Sequence, residues 1–113
     1  MKNKKGIILD ILSKIADTNF QKKVWVDQEY WDPILNFGEA VNTLEDYFFF
    51  EEIQNGAINS TNLSLNEELL WFSKELMKYD EPSDPSYMLK DEKWLNICEK
   101  ATYLKEALKL IDF

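Results

Sequence analysis

The sequence predicts an all-α protein, a small antiparallel bundle of four to five helices forming one domain over residues 1–113. Three observations carry that prediction. Four segments repeat apolar residues at three- and four-residue steps. Capping residues or glycine stops bound most of them. The one strand-like triplet, Val24-Trp25-Val26, has no second strand of quality to pair with.

The first helix is expected over about residues 4–17, with Ile8, Leu12 and Ile15 on one stripe and Ile7 and Ile11 beside it. This amino-terminal stretch opens like a signal peptide. Asp10, Lys14 and Asp17 interrupt its apolar part, however, and no small-residue cleavage site follows. It reads as an amphipathic helix of a cytoplasmic protein. Val24-Trp25-Val26, within 19–31, reads as a short strand or an extended connection.

The stretch "DPILNFGE" offers two starts for the second helix. Asp32 can cap with Pro33 at the first helical position. Asn36 can cap with Glu39 three residues on. Either way the helix runs to about Gln54, where Asn55-Gly56 supplies a left-handed stop. Residues 57–63 read as a polar loop. Ser64 with Glu67 forms a second capping box and opens a helix over about 65–79, striped by Leu65, Leu69, Phe72 and Leu76. "YDEPSDPS" is the clearest linker, because its prolines and short polar residues block regular structure. Asp84-Pro85 can start a short turn. Asp91 then caps the last helix, about 92–111, with Trp94, Cys98, Ala101, Leu104, Leu108 and Ile111 on its stripe.

Composition narrows the chemistry. One cysteine, Cys98, forms no internal disulfide and reads as a small core residue. The chain has no histidine, the commonest general base and metal ligand. All 13 basic residues are lysine, so the planar fork that clamps phosphates is missing. No nucleophile–base set, phosphate loop or metal-ligand pattern is present. The expectation is a protein that is not an enzyme, has no cofactor or metal, and inserts in no membrane.

The formal charge of −8 is unevenly spread. Residues 1–23 carry +4, residues 24–73 carry −10 with no basic residue, and residues 74–113 carry −2. So long a run of one sign is not what stability alone favours. It repels nucleic acid and points to a basic protein partner.

The centre of that block is "LEDYFFFEEIQNG", residues 44–56. Three consecutive helical residues spread over about 200° of the circumference. One core-facing stripe therefore cannot bury Phe48, Phe49 and Phe50 together. Either the helix is central and covered on both sides, or it exposes an aromatic. Phe48 falls with Val41 and Leu44 on the apolar stripe, which leaves Phe49 as the candidate contact aromatic. Glu45 and Glu52 share one helix face, and Glu39 and Asp46 an adjacent one. No lysine stands three or four residues away to relieve their repulsion. The candidate partner-binding residues are Asp32, Glu39, Glu45, Asp46, Phe49, Glu51 and Glu52.

Residues 30–56, "YWDPILNFGEAVNTLEDYFFFEEIQNG", resemble the core segment of small bacterial immunity proteins of contact-dependent growth inhibition systems. The likeness lies in the Trp-Asp-Pro start, the Asn-Phe-Gly-Glu helix entry and the Leu-Glu-Asp-Tyr-Phe continuation. The resemblance implies a cytoplasmic inhibitor that binds the C-terminal toxin domain of a cognate delivered effector, often a nuclease basic near its active site. Two other readings suit the residues: a phage-type nucleic-acid mimic directed at a restriction or CRISPR nuclease, and an adaptor joining other proteins.

Overall fold

The computed structural model describes residues 3–29, 36–111 and 113. Among them the chain is all-α, and no strand is present. Asp32 and the Asp32-Pro33 helix start lie outside the described residues.

Helix α1 (Lys4–Ala16) begins where the Asn3 side chain accepts the Gly6 N–H, satisfying one of the free first-turn donors. It buries Ile8, Ile11, Leu12 and Ile15. A single turn, α2 (Thr18–Phe20), is capped by Asp17. A π-helical segment over Gln21–Val26 follows, where a strand or extended connection is expected from sequence. The reason for this correction is burial. A strand would send Val24 and Trp25 to opposite faces. In the wider turn both are buried, along with Gln21.

Gln21 explains why that turn is held. Its amide Nε2 donates to the carbonyls of Lys14 (3.0 Å) and Ile15 (2.8 Å), closing the exposed end of α1. Its Oε1 accepts the Trp94 indole N–H at 2.9 Å. A buried amide so fully satisfied specifies one arrangement of the elements around it.

The single predicted helix ending at Gln54 is two helices, α3 (Phe37–Asp46) and α4 (Phe49–Gln54). Asn36 caps α3 through the Glu39 N–H, as its capping box predicts. Asn55 and a left-handed Gly56 (φ 84°) end α4. Helix α5 (Leu63–Lys78) starts earlier than the Ser64 capping box predicts. Asn62 captures the N–H groups of Ser64 and Leu65 first. The intervening loop is not wholly polar in its packing, since Ile58 is buried. After the linker comes a 3-10 helix (Pro85–Lys90), then α6 (Glu92–Leu108), capped by Asp91 as expected.

Helix α6 is the centre of the bundle, with α1 and α5 packed on it. Helix α1 also meets α3, and α4 meets α5. Lys5 Nζ donates to the carbonyls of Lys109 and Ile111, placing a cation where the end of α6 gathers negative potential. That contact fixes α1 antiparallel to α6. The predicted stripes of α5 and α6 are the buried faces, although Ile111 falls beyond the end of α6. An aromatic cluster of Trp25, Phe37, Tyr79 and Trp94 fills one side, with ring centroids 5.2–6.1 Å apart. Such rings add about 0.5–1.5 kcal/mol per pair beyond burial. Cys98 is buried, and desolvation pushes its thiol up to about 11.

Candidate protein-binding site

The elbow between α3 and α4 is where the structure departs furthest from the local sequence. Neither glycine nor proline occurs at Tyr47-Phe48, yet the helix stops there. Phe48 adopts φ 61° and ψ 25°, the left-handed region that crowds any Cβ. A bulky residue there costs about 1–2 kcal/mol. The turn redirects the chain so that Phe49 and Phe50 both point inward, with ring centroids 5.7 Å apart. A straight continuation of α3 would turn both rings away from the face on which Phe37, Ala40 and Leu44 are buried, and the burial offsets the strain at about 1.5–3 kcal/mol for each large apolar side chain.

This corrects the aromatic assignment. Phe49 is fully buried and unable to touch a partner in this fold, while Phe48, expected on the core stripe, is 56% exposed. Tyr47 beside it is also exposed.

The acids divide by position. Glu45 and Asp46 are exposed in the last turn of α3, where a helix favours cations. Glu51 is exposed and Glu52 half-buried in the first turn of α4. Glu39 is exposed in the first turn of α3, a full helix away from Asp46. The structure thus brings Glu45 and Glu51 to one groove with Phe48, links Glu52 to the Phe48 ring through Lys4, keeps Asp46 beside them in the last turn of α3, and leaves Glu39 at the far end of that helix.

Counter-charge reaches the acidic block only from outside it. Lys4 of α1 pairs with Glu52, Lys100 of α6 with Glu68, and Lys22 with Asp27. Among the described residues no ion pair forms at Glu39, Glu45, Asp46, Glu51 or Glu67. Glu45 and Glu51 instead flank a shallow groove of about 270 Å³, lined also by Phe48, Phe50, Gln54 and Met77. Met77, which sequence places only beside the α5 stripe, is half-exposed there. Periodicity gives no signal for Phe48 as a surface residue, because its exposure comes with the left-handed elbow, whereas Met77 falls off the Leu65, Leu69, Phe72 and Leu76 stripe.

No group of three or more histidine, cysteine, aspartate or glutamate side chains among the described residues is placed to hold a metal ion. No helix among them is long and apolar enough to cross a membrane. Comparison with protein-family models, curated proteins and solved structures finds no match.

Proposed function

We propose that this protein is a binding protein that neutralises a basic protein partner through the acidic elbow of α3 and α4. The partner is the nuclease toxin domain of a contact-dependent growth inhibition effector. The observation that carries the reading is a convergence of locally unfavourable choices at one place. Phe48 is both strained and exposed, and Glu45 and Asp46 stand at the wrong end of a helix dipole with no ion pair among the described residues. Sequences that fold well are consistent across levels, and departures concentrate at functional sites. The resemblance of residues 30–56 to immunity proteins supplies the kind of partner.

Mechanism follows from the surface. A field of one sign speeds encounter with a partner of the other. The exposed Phe48 then supplies desolvated contact area at the centre, where a few residues carry most of the affinity. Carboxylates placed over a nuclease's phosphate-binding surface exclude its substrate without any chemistry by the inhibitor.

The reading expects a toxin domain encoded beside this gene, and the test is co-expression with that domain, followed by purification and a nuclease assay. A stoichiometric complex with suppressed cleavage supports the reading. Two proteins that elute apart, with cleavage unaffected, would falsify it.

A further inference from the structure

We infer that the groove between α4 and α5 is a docking site for an arginine side chain of the partner, an assignment that rests on the function proposed above. The protein's own packing twice displays the arrangement such a side chain would complete. Lys4 Nζ lies 5.8 Å from the centre of the Phe48 ring and pairs with Glu52. Lys100 Nζ lies 5.8 Å from the rings of both Trp71 and Tyr103 and pairs with Glu68 at 3.2 Å. Each set consists of an aromatic ring, a carboxylate and a cation.

The groove repeats the ring and the carboxylates, and its own acids, Glu45 and Glu51, form no ion pair among the described residues, because the Lys4 near the Phe48 ring pairs with Glu52 instead. Phe48 supplies the ring, Glu45 and Glu51 the carboxylates, and no lysine among the described residues lines it. Met77 and Phe50 add apolar wall, which suits the aliphatic stem of a long cationic side chain. A cation over a ring gains about 0.5–1 kcal/mol at an exposed site. A guanidinium also stacks flat on the ring and reaches carboxylates with several fixed donors, which an ammonium does not.

The occupant comes from another protein. This chain contains no arginine, and its net charge of −8 opposes a second copy of itself at an acidic groove. Lys4 is held by Glu52 and the Phe48 ring and does not line the groove, so it leaves Glu45 and Glu51 without a counter-charge.

The experiment uses the full chain and three short peptides, acetyl-Gly-Xaa-Gly-amide with arginine, lysine or citrulline at Xaa, titrated by NMR at low salt. Citrulline keeps the shape of arginine and removes its charge. The arginine peptide is expected to shift the Phe48 ring, the Met77 methyl and the amides of Glu45 and Glu51. Lysine should bind more weakly, and citrulline should leave those signals in place. Phe48→Asn tolerates the left-handed turn but removes the ring, and should weaken arginine binding about two- to fivefold. Its melting temperature and circular dichroism report whether the fold is kept. The assignment is overturned by shifts spread evenly over remote acids such as Glu39 and Glu67. Lysine or citrulline binding as well as arginine, or Phe48→Asn binding like wild type, overturns it equally. Those failures leave the proposed function standing if the elbow acids still govern binding of the toxin domain itself.

Discussion

The indole N–H of Trp94 donates to Oε1 of Gln21 at 2.9 Å, joining residues 73 positions apart inside the core. The same glutamine closes the carboxyl end of α1, so one side chain ties three elements: α1, the π-helical segment and α6. Gln21→Leu would leave the Trp94 N–H and the Ile15 carbonyl without that partner, while the Lys14 carbonyl keeps the Asp17 N–H. Each buried group left unsatisfied costs about 1–3 kcal/mol. Chemical denaturation should show a loss in that range or above it, with helix content retained in the folded state. A variant as stable as wild type contradicts the role given to Gln21.

The consecutive phenylalanines should separate cleanly. Phe49→Ala removes a fully buried ring and should cost about 3–5 kcal/mol. Phe48→Gly removes an exposed ring and relieves a left-handed Cβ, so its stability should equal or exceed wild type by up to about 1 kcal/mol. Thermal melts of the two variants give the answer. Equal losses would mean that the elbow is not where the chain turns.

Stability should fall in alkali. The folded-state value of Cys98 is raised from 9.0 to about 11 by burial, so the fold favours the neutral thiol. A raised value contributes stability that is fully present below the unfolded value and is lost as pH climbs through the folded one. The window is therefore about 9 to 11. Tyr79 acts in the same direction from 10.0 upward, because burial and the hydrogen bond its hydroxyl donates to Asp91 (2.8 Å) both favour the protonated phenol. Cys98→Ala should flatten the decline between pH 9 and 11 without removing the part due to Tyr79. At neutral pH, iodoacetamide should modify Cys98 only as fast as the protein opens.

How much of this was legible in the sequence depends on whether local rules decided the outcome. Caps at Asn36 and Asp91, the Gly56 stop and the stripes of α5 and α6 are all local, and all appear in the fold. Val24-Trp25-Val26 reads as extended because β-branched residues prefer strands. Tertiary burial of Val24, Trp25 and Gln21 overrode that preference. The elbow was illegible for a related reason. Nothing at Tyr47-Phe48 breaks a helix locally, and the break lets Phe49 and Phe50 face a core from which a straight α3 would turn them away. The steric objection to burying three consecutive rings did locate the segment, but it assigned the exposed position to Phe49 instead of Phe48. The acidic block was readable as charge. Which of its acids draw a lysine from α1 or α6 was not, because those pairs are set by packing.

Salt should separate steering from contact. If the elbow acids guide encounter, the association rate with the toxin domain falls as ionic strength rises, because screening shortens the reach of exposed charge. Phe48→Asn should leave that slope alone and speed dissociation, since the ring acts after contact. Stopped-flow mixing across a salt series resolves the two effects. A Phe48→Asn variant that changes only the association rate contradicts this division of labour.

The most direct measurement is the binding of the proposed cognate toxin domain by Glu45→Lys/Glu51→Lys, with the Lys4–Glu52 pair left intact. Both positions are exposed and without an ion pair among the described residues, and the gain of a lysine at the end of α3 opposes its cost in the first turn of α4, so melting should stay close to wild type. The account predicts slower association, a flattened salt dependence, and loss of protection in toxin-exposed cells. A correctly folded double variant that binds and protects as wild type does would contradict it, and the elbow would then be a solvated surface only.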